Sequence, residues 1–144
     1  MKTTILRSAL AALACTAALV VAGPSIAANV NLKADLKPSS EVPPTDSKGS
    51  GSVTAIYDTA SKKLTWKGNV FDLSGPATAA HFHSGEPGKN GGVVVPIAGA
   101  DKGSFEGSAT LTDAQADELL AGKWYVNVHT AANKGGEVRG QVTK

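Results

Sequence analysis

From Val30 onward, apolar and polar residues alternate in short runs, and clusters of Gly, Pro, Asn, Asp and Ser separate the runs. A period of two sends successive side chains to opposite faces, so the pattern predicts antiparallel strands with one buried face each. Val30, Leu32, Ala34 and Leu36 share a face of the first strand, and Val53, Ala55 and Tyr57 alternate with Ser52 and Thr54 in the second. Asp58 to Ser61 is a turn cluster, which makes Leu64, Trp66 and Val70 to Leu73 the return strand of a hairpin and its extension. Ala77 to His83, Val93 to Ile97, Ser104 to Leu111, Trp124 to Thr130 and Glu137 to Val142 continue the series. About eight strands with turn signals every ~8 to 12 residues predict an all-β domain, an antiparallel β-sandwich or flattened barrel.

One short helix interrupts the strands. Thr112-Asp113-Ala114-Gln115 fits a capping box, Leu119 and Leu120 supply its packing face, and Gly122 supplies its stop. Lys37 to Gly49, with Pro38 and Pro43-Pro44, is predicted to be extended and has the composition of a mobile segment. Gly85 to Gly92 is long for a hairpin connection, and long loops on rigid scaffolds often carry function.

Residues 1–27 read differently, as an export signal. Lys2 and Arg7 precede an apolar run from Ser8 to Val21, and Gly23-Pro24 leads to the small residues Ser25 and Ala27. The run is short against the ~20 residues of a membrane span, so cleavage is expected between Ala27 and Ala28, leaving residues 28–144 as one domain. The alternative is lipid attachment at Cys15, as in a lipoprotein. On the first reading the remaining chain has no cysteine and no transmembrane segment, rests on its core alone, and is secreted or periplasmic.

The chain has 14 Lys and Arg against 12 Asp and Glu. Since Lys2 and Arg7 leave with the signal, the rest is formally neutral, and its charges alternate in sign without a basic block. Nucleic acid is therefore not an expected partner.

Ala80-His81-Phe82-His83-Ser84-Gly85, Tyr125-Val126-Asn127-Val128-His129-Thr130 and Gly136-Glu137-Val138-Arg139-Gly140-Gln141 together carry a resemblance. With Glu41-Val42-Pro43-Pro44, Leu64-x-Trp66 and the short helix, they resemble the chordin (CHRD) domain family, in its stand-alone exported bacterial form. The resemblance implies an extracellular location and fixes the strand order, but it names no catalytic residue. It carries over no morphogen partner either.

All three histidines lie in these segments. If Phe82 faces the core, His81 and His83 turn to the opposite face, about 7 Å apart. Val126 and Val128 facing inward put Asn127 and His129 on the polar side, and the last strand sends Glu137, Arg139 and Gln141 outward. Were the two histidine strands neighbours, His81, His83 and His129 would converge, and three neutral imidazoles suit copper or zinc. Glu137 is the candidate fourth ligand or the acceptor behind a histidine. The alternative is that the histidines only hydrogen-bond to loop carbonyls or to Glu137.

The His-x-His spacing also resembles the copper ligands of copper-zinc superoxide dismutases, but such enzymes need six histidines, and this chain has three. Arg139 is the only arginine after the leader, and a structural ion pair is expected there, with Glu137 on the same face and Asp46, Glu86 or the chain terminus as further candidate partners. Asn127, Glu137, Arg139 and Gln141 form the expected structural polar cluster. The Gly85 to Gly92 loop lacks a phosphate-cradle ending, no nucleophile elbow precedes a helix, and Trp66 and Trp124 are assigned to the core. The resulting expectation is an exported binding or structural module whose partner is an extracellular protein or polysaccharide. Alternatives are a copper or zinc protein for storage or delivery and a small redox enzyme.

Overall fold

The computed structural model describes residues 28–144, so the expected export signal and Cys15 lie outside the described residues. The strands are β1 (Asn29–Leu36), β2 (Ser50–Asp58), β3 (Lys63–Phe71), β4 (Ala77–Ser84), β5 (Val93–Ile97), β6 (Ser104–Thr110), β7 (Trp124–Thr130) and β8 (Val138–Gln141), with helix α1 (Asp113–Leu120) between β6 and β7. They form two antiparallel sheets of four, ordered β1-β2-β3-β6 and β5-β4-β7-β8. The fold is thus the all-β sandwich that the alternation predicts.

Alternation explains the two-layer core. In β1 Leu32, Ala34 and Leu36 are buried while Lys33 and Asp35 between them are exposed, and β2 repeats this with Val53, Ala55 and Tyr57. Trp66 of one sheet meets Phe82 of the other edge-on at 5.2 Å between ring centres, and Phe82 meets Trp124 at 6.0 Å, so both tryptophans do fill the core. On one side the sheets are joined: β1 exchanges hydrogen bonds with the end of the chain through Lys33 and Thr143, and Lys37 does so with Arg139 of β8. Gly140 allows this approach, because a Cβ there would collide with the backbone of Asp35. On the other side β5 and β6 are, among the described residues, unpaired sheet edges.

The helix has the predicted cap. Gln115 N–H donates to Thr112 Oγ1 at 3.2 Å, and Thr112 N–H donates to Gln115 Oε1 at 2.9 Å. Ala116 and Leu119 are its buried face. Among the described residues no helix is long and apolar enough to cross a membrane.

The segment from Lys37 to Gly49 departs from expectation. It is a strap tied down along its length, because Thr45 N–H donates to Pro38 O, the Thr45 hydroxyl to Glu137 O at 2.8 Å, and Asn90 Nδ2 to Val42 O at 2.9 Å. Its composition suggested mobility only because its partners lie far away in the sequence.

Candidate metal centre

β4 and β7 are hydrogen-bonded neighbours, which brings the two histidine segments together. Phe82, Val126 and Val128 are fully buried on the core side, so His81, His83, Asn127 and His129 stand on the outer face. The register pairs His81 with Asn127, His83 with Tyr125 and Ala79 with His129. His129 is therefore diagonal to His81, and the rings still meet, with centroids 5.1 Å apart; His81 and His83 are 5.4 Å apart. One nitrogen from each of the three rings lies within 4.8 Å of the others.

Hydrogen bonding sets which nitrogens are free. His83 Nδ1 lies 3.0 Å from Gly91 O and His129 Nδ1 lies 3.0 Å from Lys134 O. A carbonyl only accepts, so each Nδ1 carries the proton and each Nε2 presents a lone pair. Backbone carbonyls behind the ligating rings are the usual support of a metal-binding histidine. His129 Nε2 lies 3.2 Å from His81 Nδ1, so without an ion His81 must donate a proton there. That spacing is close to the ~3.3 Å between two nitrogens bound tetrahedrally at ~2.0 to 2.1 Å, so an ion can take the proton's place with little movement of this pair. Burial pushes the pKa of His81 down, helped by His129 and His83. Burial likewise pushes His83 down, against the Gly91 hydrogen bond. Both rings are held in the neutral form that a metal requires.

A second layer fixes His83 and its loop. His83 stacks on Tyr125 with centroids 4.8 Å apart and planes 8° from parallel, and the Arg139 guanidinium lies 3.4 Å from the centre of the Tyr125 ring. The expected carboxylate partner of Arg139 is not found: neither Asp46, the Glu86 side chain, the chain terminus nor Glu137 pairs with it. Instead it donates to Lys89 O at 2.6 Å and Asn90 Oδ1 at 3.1 Å, and it reaches the backbone carbonyl of Glu86. The fork thus holds the Gly85 to Gly92 loop by its oxygens, and Gln141 helps through Gly85 O at 2.9 Å.

Glu137 does not accompany the histidines, which corrects its assignment as an outward-facing fourth ligand or histidine partner. Its side chain is fully buried, and it accepts from Ser47 Oγ, Ser74 N–H, Ser74 Oγ, Thr130 Oγ1 and Asn133 Nδ2. Strict alternation holds within a ladder, and the β8 ladder begins only at Val138. Burial pushes this carboxyl up, but the hydroxyl and amide donors outweigh burial and hold it at about 2. Of the expected polar cluster, Asn127, Arg139 and Gln141 lie on the outer face, while Glu137 ties strap to strand.

Glu41 takes a place that local sequence reading missed. It descends from the strap onto Asn127 and is 5 % exposed. Burial pushes its carboxyl up to about 7, against the pull of Arg139, the Val42 N–H and Asn127. Glu41 Oε1, Asn127 Oδ1 and His83 Nε2 are all buried without a hydrogen-bond partner. The signal lay in an acid preceding Pro43-Pro44, legible only once the strap is placed. A groove of about 610 Å³ beside Lys67, Gly99 and Phe105 lies on the other sheet's margin, away from this cluster.

Residues 32–142 match the CHRD domain, a span running from β1 to just beyond β8. No curated protein matches the chain.

Proposed function

The chain belongs to the CHRD domain family, and from that premise we propose that it is an exported binding module that holds copper or zinc at His81, His83 and His129. The observation that carries this reading is the convergence of three imidazoles, each offering a nitrogen within 4.8 Å of the others. The backbone carbonyls of Gly91 and Lys134 support it further, by fixing the tautomers that leave two Nε2 atoms unprotonated. His81 and His129 are half-buried, so a fourth position is open to solvent or to an acceptor that takes the ion. Storage or delivery suits such a site better than a closed structural centre.

Calorimetric titration of the metal-stripped protein with copper and zinc tests the proposal. One ion per chain is expected, with affinity falling at least tenfold when His81, His83 or His129 is changed to alanine. Absence of binding by the unaltered protein would reject it. The histidines would then serve as hydrogen-bonding supports of the loop, and the search would turn to a protein or polysaccharide partner.

A further inference from the structure

Among the described residues, four buried side-chain atoms lack a hydrogen-bond partner, and three of them meet beside the histidines: His83 Nε2, Asn127 Oδ1 and Glu41 Oε1. A buried polar atom left unsatisfied is costly, so three at one place signal an arrangement completed by something else. Asn127 links them. Its N–H side faces the Glu41 carboxylate, its carbonyl side faces His83, and its Nδ2 has a long contact of 3.4 Å to Gly135 O. Gly136, at φ 129°, makes room: a Cβ there would strike both Glu41 Oε1 and Asn127 Nδ2.

This orientation contains a conflict. His83 Nδ1 carries the ring proton for Gly91, so Nε2 has a lone pair, and Asn127 Oδ1 turns lone pairs toward it. Two acceptors face each other. A cation on Nε2 removes the conflict while Asn127 keeps its N–H toward an ionised Glu41. Alternatively the amide turns over: Nδ2 then donates to His83 Nε2, and Oδ1 accepts from a protonated Glu41. Each arrangement is fully paired, and they differ in whether His83 is free for metal.

We propose that Glu41 and Asn127 are positioning residues for the metal centre: the carboxylate sets which way round the amide sits, and the amide decides whether His83 Nε2 is open to an ion or capped by an N–H. For the ion this rests on the metal reading above, whereas the amide's two orientations stand without it. The charged and titratable groups around Glu41 are Arg139 on β8 and, across Asn127, His83 on β4. Linkage then makes metal binding and Glu41 protonation mutually opposed.

Two measurements test this on the full chain. In the metal-free protein, nitrogen NMR should show the Asn127 side-chain amide and His83 Nε2 changing together with a midpoint near pH 7, and Glu41→Gln should abolish that step. Signals that ignore Glu41 overturn the proposal. In zinc titrations, the loss of affinity from pH 8 to pH 6 should be about tenfold greater for the unaltered protein than for Glu41→Gln or Asn127→Leu, since histidine protonation is common to all three. Equal losses overturn the proposal as well. If zinc binds none of them at pH 8, the metal reading fails, and the NMR result alone decides the amide's role.

Discussion

Glu41 and Glu137 are both buried acids, and their surroundings drive them in opposite directions. Glu41 has its native pKa raised from 4.5 to about 7, chiefly by burial. The folded state therefore holds its proton more tightly than the unfolded chain does. That contribution is complete below pH 4.5 and is lost as pH rises through 7, about 3 kcal/mol in all. Glu41→Gln should accordingly gain on the unaltered protein by up to about 3 kcal/mol between pH 5 and pH 8 in urea unfolding. Glu137, held at about 2, works the other way: its contribution is present above pH 4.5 and vanishes as pH falls through 2. Glu137→Gln is expected to cost about 3 kcal/mol at pH 7, because donors arranged for a carboxylate then face a neutral amide, and the difference should nearly close at pH 2. A constant difference across that range would refute the account. Neither role was legible in the sequence. Parity placed the histidines, Asn127 and Arg139 on the outer face correctly, because they lie within ladders. It failed for Glu137, just before its ladder, and had no purchase on Glu41, whose neighbours come from β7 and β8.

Elements were the most legible level. Alternation in β1 and β2 reflects burial of one face against the second sheet, so the strands announce themselves without knowledge of their partners. The helix is equally local, with cap and stop within a few residues. Thr112→Ala should cost about 1 kcal/mol of stability, measured by thermal or urea unfolding, since Gln115 N–H loses its acceptor. A variant as stable as the original would mean that packing of Ala116 and Leu119 alone holds the helix. The strap was illegible for the converse reason. Its serines, threonines and prolines resemble a loose linker, and what pins it is Asn90, Arg139 and Glu137, up to 92 residues away.

At the scale of the whole molecule, neighbours in the sheets cannot be deduced from periodicity, since any strand with one apolar face can pair with any other. The order β5-β4-β7-β8 makes β7 an inner strand carrying core on one face and the imidazole site on the other. Native-state hydrogen exchange should therefore be slowest at Val126 to Val128 and faster along the free edges β5 and β6. Exchange in β5 as slow as in β7 would contradict this layout. A disulfide is the covalent way to secure distant segments, and no described residue is a cysteine. The contact between His81 and His129 joins positions 48 residues apart. An ion seated between them closes that long loop as a covalent tie would. Such a fastening would answer to metal supply and to chelators rather than to thiol–disulfide exchange.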